Sequence, residues 1–218
     1  MNTIKHAFLL TLIILLTACN NQAIQPFQDA IDEFYYTQAY GFDLTIEQFY
    51  QEERINYELI EMRIHKNEFL QSYTWIQEKT LLTFKEQPFR YEETIIYFQE
   101  PNQVFIETNT HIETHNMTYD QYLLLAQPYS FNLQSYYFET YTIDGENTIS
   151  FCGYINVQHL SSFMGVDMTD VEQAKLNIII ESGNLITLEL TITLKLTTIQ
   201  IKLTPNYQNT RIIMPIKE

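Results

Sequence analysis

Ala174-Lys175-Leu176-Asn177-Ile178-Ile179-Ile180-Glu181-Ser182-Gly183-Asn184-Leu185-Ile186-Thr187-Leu188-Glu189-Leu190-Thr191-Ile192-Thr193-Leu194-Lys195-Leu196 is the stretch that decides the fold class. Ala174, Leu176, Ile178 and Ile180 recur at period two, and so do Ile186, Leu188, Leu190, Ile192, Leu194 and Leu196, with Thr187, Glu189, Thr191, Thr193 and Lys195 opposite. Such alternation describes strands with one apolar and one polar face. A three-residue loop, Ser182-Gly183-Asn184, sets Ile180 against Ile186, Ile178 against Leu188 and Leu176 against Leu190, keeping every apolar side chain on one side. At Thr197-Thr198 the apolar phase moves by one residue, to Ile199, Ile201 and Leu203. Either a bulge or a two-residue hairpin produces that shift, the hairpin pairing Leu196 with Ile199 and Leu194 with Ile201. Both outcomes give an antiparallel sheet whose single apolar face must pack against another layer.

Further hairpin signals lie upstream. Pro101-Asn102 separates Tyr91–Gln99 from Gln103–Thr108, and Asp144-Gly145 separates Tyr136–Ile143 from Thr148–Val157. Both are turn-forming pairs. Three segments carry helical spacing instead. Phe27, Ile31, Phe34 and Tyr35 define an amphipathic helix with Pro26 in its first turn and Gly41 after its end. Tyr119, Tyr122, Leu123 and Ala126 define a second over Thr118–Gln127, stopped by Pro128, and Val157–Met164 a third that ends at Gly165. The order helix, strands, helix, strands, short helix, strands predicts an α+β domain over residues 27–218.

The N-terminus is an address. Lys5 and the amino terminus supply positive charge, Ala7–Ala18 are apolar, and Leu16-Thr17-Ala18-Cys19 follows. This is the layout of a secretory signal, and the apolar run rises only about 18 Å as a helix, against about 30 Å of hydrocarbon. Leu-x-Ala-Cys resembles the lipobox of bacterial lipoproteins. The resemblance implies removal of residues 1–18, a diacylglyceryl group on Cys19, a tether over residues 19–26, and attachment to the extracytoplasmic face of a cell membrane, where two acyl chains hold firmly.

Composition excludes several classes. A formal net charge of −15 repels nucleic acid and anionic headgroups, so no nucleic-acid partner is expected. With only two cysteines and Cys19 lipidated, no intramolecular disulfide remains. Cys152, in Ile149-Ser150-Phe151-Cys152-Gly153-Tyr154, reads as a small buried hydrophobe, with His159 the one nearby base for a nucleophile. Five glycines form neither a phosphate loop nor a GxGxxG string. Ser161-Ser162 lacks a nucleophile elbow. The adjacent pairs Glu52-Glu53 and Glu92-Glu93 point to opposite faces of a strand, and Asp167–Glu172 lacks the calcium-loop spacing. The one histidine constellation, His111-Ile112-Glu113-Thr114-His115, places both imidazoles and the carboxylate on one face of a strand. The imidazoles are then about 13 Å apart at the backbone, too far to share a metal, while either can pair with Glu113. No catalytic residue, metal ligand or cofactor is assigned.

The lipobox, the N-terminal helix, many antiparallel strands interrupted by short helices, and the closing Arg211-Ile212-Ile213-Met214-Pro215 resemble the LolA/LolB and LppX/LprG-like extracytoplasmic carriers and related lipoproteins of Gram-positive bacteria. That resemblance implies a strongly curved antiparallel half-barrel covered by helices, whose concave face holds lipid or an acyl chain. The chain is therefore expected to be a membrane-anchored, non-catalytic binding module for an apolar ligand. The alternative is an envelope interaction or sensing lipoprotein with a filled core and a protein partner.

Overall fold

The computed structural model describes residues 22–37, 39–65, 75–85, 87–99, 102–108, 110–125, 133–164 and 170–207. Residues 1–18, read from the sequence as a signal, Cys19 and the Arg211–Pro215 segment lie outside the described residues. Helix α1 spans residues 22–36. It is followed by β1 (Ala39–Tyr50), β2 (Glu53–His65), β3 (Trp75–Phe84), β4 (Gln87–Gln99), β5 (Gln103–Thr108), β6 (Ile112–Asn116) and α2 (Tyr119–Leu125). After a single 3₁₀ turn (Ser135–Tyr137) come β7 (Phe138–Asp144), β8 (Thr148–Ile155), α3 (Val157–Met164), β9 (Val171–Glu181), β10 (Asn184–Leu194) and β11 (Thr197–Asn206).

All the described strands form one antiparallel sheet, in the order β6-β5-β4-β3-β2-β1-β11-β10-β9-β8-β7. Two meanders thus run outward from the central pair formed by the first and last strands. Leu44 stands opposite Leu203 and Ile46 opposite Ile201 in that pair. The sheet curls around its helices as an α+β half-barrel, the class expected from the sequence.

The concave face supplies the core. Phe42, Leu44, Met62, Ile64, Ile76, Phe98 and Val104 come from one half of the sheet and Phe151, Leu176, Ile178, Leu188 and Leu190 from the other, all buried. Helix α1 fills the trough between them with Ile24, Phe27, Ile31, Phe34 and Tyr35. The Phe27 ring meets Phe151 at 5.5 Å, and Phe34 meets Tyr40 at 5.1 Å and Phe42 at 6.3 Å. The helix starts earlier than expected. Residues 22–26, read from the sequence as part of a tether, are helical, and Ile24 is 1% exposed. Burial of one large aliphatic side chain contributes about 1.5–3 kcal/mol, which offsets much of the cost of Pro26 inside the helix. Nor does Gly41 end α1. It lies within β1, where a Cβ would stand 2.7 Å from Arg63 Cδ, so the missing side chain makes room for the Arg63 stem.

The shorter helices carry their own caps. Thr118 Oγ1 accepts from the Gln121 N–H and Gln121 Oε1 accepts from the Thr118 N–H, a reciprocal capping box that starts α2. Asn156 Oδ1 accepts from the Gln158 N–H at the start of α3. Tyr122 of α2 and Leu160 and Phe163 of α3 point into the core.

Register at the two C-terminal turns departs from expectation. Glu181 pairs with Asn184, so the β9–β10 turn has two residues, Ser182 (φ 52°) and Gly183 (φ 83°). Two consecutive positive φ values give the primed turn whose twist matches the strands. Ile180 then pairs with Leu185, and Ile186 is an extra residue, 39% exposed, before Thr187 meets Ile179. This bulge restores Ile178 against Leu188 and Leu176 against Leu190, the expected partners. Between β10 and β11 the hairpin alternative is observed, but its turn is Lys195-Leu196, two residues before Thr197-Thr198. Ile192 pairs with Ile199 and Leu190 with Ile201. The Leu196 carbonyl accepts from the Gln51 N–H at 3.2 Å, so the neighbouring β1–β2 turn holds this one in place.

Two turn glycines with positive φ give a graded prediction. At Gly145 (φ +105°) a Cβ would lie 2.0 Å from the Thr148 carbonyl oxygen, whereas at Gly183 (φ +83°) it meets nothing within 4 Å. Gly183→Ala is expected to cost about 1 kcal/mol, the backbone term alone, and Gly145→Ala about 2–3 kcal/mol because the backbone must also shift. Urea unfolding of both variants checks this. Equal losses would mean that the β7–β8 turn relaxes freely.

Candidate functional site

Cross-strand partners share a face of the sheet, so the concave side can be followed row by row. Leu44, Ile60, Thr80 and Glu92 are successive partners on β1 to β4. Ile46, Glu58, Leu82 and Arg90 form the next row. Met62, Glu78, Thr94 and Thr108 form another across β2 to β5. Each starts apolar on β1 or β2 and ends polar on β4 or β5, with Leu82 interrupting the second row. At the border Ile46, Ile60, Ile96 and Ile106 are only partly buried against the core. Beyond them the concave face carries hydroxyls and carboxylates, where an all-apolar lining was expected.

At the edge of this lane stands the His-Glu-His constellation. Val104 pairs with His115 and Ile106 with Glu113, which places these side chains on the concave side. His111 Nε2 lies 2.9 Å from Glu113 Oε1, and His115 Nε2 lies 3.2 Å from Glu113 Oε2. One carboxylate therefore engages both rings, where the sequence offered either. Thr108 Oγ1 and Thr110 Oγ1 each lie 3.0 Å from His111 Nδ1 and orient that ring. All three side chains of the constellation are about half exposed. Among the described residues no three His, Cys, Asp or Glu side chains are grouped to hold a metal ion.

Hydrogen bonds from His111 and His115, and the charge of His111, hold the Glu113 carboxyl below the usual value for glutamate. A depressed folded-state pKa contributes stability above the unfolded value, and that contribution is lost as pH falls through the folded one. Replacing both histidines by alanine is therefore expected to raise the Glu113 titration midpoint, read by carboxyl-carbon NMR. An unmoved midpoint would show that the pairing does not form in solution.

Other candidates separate in space. Glu92 faces the concave side and pairs with Arg90, while Glu93 faces outward to Gln77 at 2.6 Å and Lys79 at 3.7 Å, as their adjacency requires. Glu52 sits in the β1–β2 turn (φ 69°) and Glu53 opens β2, so that pair straddles a turn rather than sharing a strand. Cys152 is not a core residue. Phe151 and Gly153 take the concave side, leaving Cys152 half-buried on the outer side between Thr142 and Asn177. The His159 ring packs against Tyr136 at 5.9 Å and Tyr137 at 6.0 Å, on the helix-covered side of the sheet. The thiol and the imidazole are therefore on opposite faces. Of Asp167–Glu172, residues 167–169 lie outside the described residues. Glu172 lines two shallow clefts, one of about 460 Å³ with Phe49, Glu52, Leu194 and Leu196, the other of about 170 Å³ with Glu139, Tyr154 and Gln173.

The lane of Glu78, Thr80, Glu92 and Thr94 is the part that sequence reasoning missed. Its members, Glu78 and Thr80 on one phase of β3 and Glu92 and Thr94 on one phase of β4, become readable as a lane only once the covered side is known.

Fold and site together define an open antiparallel half-barrel with a helix-plugged apolar end and a polar concave lane. No protein-family model matches the chain, and no curated protein does. Among solved structures it is similar to Rv2717c from M. tuberculosis, at 9% identity over 82% of this chain and 97% of that one with a TM-score of 0.28. It is also similar to a DUF1329 family protein from Desulfovibrio piger, at 8% identity over 87% and 94% with a TM-score of 0.30. A third is a β-barrel-like protein of the DUF1849 domain from Brucella abortus, at 7% identity over 77% and 97% with a TM-score of 0.26. Likenesses this weak carry nothing about what the chain binds.

Proposed function

We propose that this protein is a non-catalytic binding module, held at the extracytoplasmic face of a bacterial membrane by a diacylglyceryl group on Cys19, whose concave face receives an amphipathic ligand. The observation that carries this reading is the sharp border on that face. Half-buried Ile46, Ile60, Ile96 and Ile106 give an apolar ledge beside the core, and Glu58, Glu78, Thr80, Glu92 and Thr94 lie next to it. An acyl chain or similar apolar portion lies along the ledge, and a hydroxyl-bearing or cationic head meets the lane. A wholly apolar ligand fits less well than the sequence suggested, because α1 occupies the trough and such a ligand would displace water from the polar lane without offering it a hydrogen bond.

The test is native mass spectrometry with solvent extraction on residues 20–218, produced in a bacterial envelope and purified without detergent. A discrete adduct that solvent releases, and that Ile60→Asp removes, is the expected result. A bare chain that also takes up no added lipid would overturn the reading.

A further inference from the structure

Over β2 to β6 the outer face of the sheet carries apolar side chains. Leu59, Leu81 and Tyr91 are successive partners on the outer side of β2, β3 and β4, back to back with the polar lane. On the same side Tyr97 and Phe105 stack with centroids 5.2 Å apart and planes 8° apart. Tyr91 is 59% exposed and Ile112 of β6 is 58% exposed. By contrast, the outer side of β10 and β11 is Thr187, Glu189 and Thr191 with Gln200 and Lys202, an ordinary solvated surface. All three described helices pack on the concave side, so none of them covers this outer region.

Charge narrows what fits it. A row of Glu61, Lys79 and Glu93 crosses the region from β2 to β4. Hydrocarbon would have to take up that row at a large cost, which disfavours a bilayer as the occupant. Its cations are already engaged by carboxylates of the same chain: Arg54 by Glu47 at 2.8 Å, Arg63 by Asp43 at 3.1 Å and Lys79 by Glu93 at 3.7 Å. Glu61 and Glu107 add negative charge between the apolar side chains. A second copy would bring the same excess of carboxylates in a chain of net charge −15. A surface with apolar contacts and basic flanks matches on both counts.

We propose that the outer face of β2 to β6, centred on Leu59, Leu81 and Tyr91, docks another protein that presents apolar side chains flanked by Lys or Arg. This surface is independent of the concave ligand site and stands whether or not that site is filled. In the test, a photoreactive residue replaces Leu81, Tyr91 or, as the control on the solvated half, Thr191 in the full-length chain in the envelope of its own host. Adducts to one other protein are expected at Leu81 and Tyr91, at least about tenfold above Thr191. Binding of that protein, once purified, to residues 20–218 is expected to weaken at least about tenfold with Glu61→Lys and with added salt. Crosslinking only to a second copy, only to lipid, equally at Thr191 or not at all would overturn the proposal, as would binding insensitive to Glu61→Lys.

Discussion

Phe34→Ala is expected to lower the free energy of unfolding by about 3–5 kcal/mol, the range for emptying a buried aromatic site. Phe34 is 2% exposed and sits where α1, β1 and the end of β11 meet. Its ring contacts Tyr35 at 5.0 Å, Tyr40 at 5.1 Å, Tyr207 at 5.9 Å and Phe42 at 6.3 Å, mostly edge to face, a geometry that adds to area burial. The Thr37 hydroxyl also donates to the Phe34 carbonyl at 2.6 Å, closing the helix beside the ring. Truncation leaves a hole lined by rings that cannot collapse without moving strands. Phe34→Leu, which keeps most of the volume, is expected to cost less than half as much. Denaturant titration followed by circular dichroism measures both. A loss under about 1 kcal/mol for the alanine variant would mean that α1 does not plug the half-barrel in solution.

Cys19→Ser is expected to move the whole protein from the membrane fraction to the soluble fraction. The net charge of −15 works against anionic headgroups, and no described helix is long and apolar enough to cross a membrane. The two acyl chains proposed on Cys19 would supply an anchor worth about 0.8 kcal/mol per buried methylene, which the serine variant lacks. Fractionation of cells carrying the full-length chain, with radiolabelled palmitate incorporation as a second readout, decides it. If the serine variant stays membrane-bound and the wild-type chain takes up no palmitate, the lipoprotein reading fails.

The sequence made the C-terminal third readable because alternation is local. Leu176, Ile178, Leu188, Leu190, Ile192 and Leu203 are buried on one side as their spacing demanded. The stop at Gly165 is equally local, which is why Val157–Met164 could be delimited from residues alone. Turn geometry was less legible. A two-residue turn with a compensating bulge at Ile186 yields the same distal partners as a plain three-residue loop, so the apolar pattern cannot tell them apart. At Lys195-Leu196 the turn is set partly by a hydrogen bond from Gln51, some 145 positions away in the chain. The His111-Glu113-His115 geometry was legible because the three residues lie within five positions, Glu113 and His115 on β6 and His111 just before it. The lane beside it was not, because its members come from β2 to β5.

What the sequence determined by itself is whatever depends on neighbours along the chain: the antiparallel strands with their period-two faces, the three helices and the expectation of an anchor at Cys19. Tertiary structure alone decided the rest. Pairing of β1 with β11 joins Gly41 to Asn206, and no local pattern announces a contact of that separation. It also decided which side of β2 to β6 is covered. Leu81-Leu82, Ile95-Ile96-Tyr97-Phe98 and Val104-Phe105-Ile106 are apolar on both phases, so alternation assigns no inside to these strands. The helices resolve that ambiguity: α1 occupies the trough and α2 packs Tyr119 and Tyr122 on Phe98, so Ile76, Phe98 and Val104 are buried on the concave side while Leu81, Tyr97 and Phe105 lie on the other.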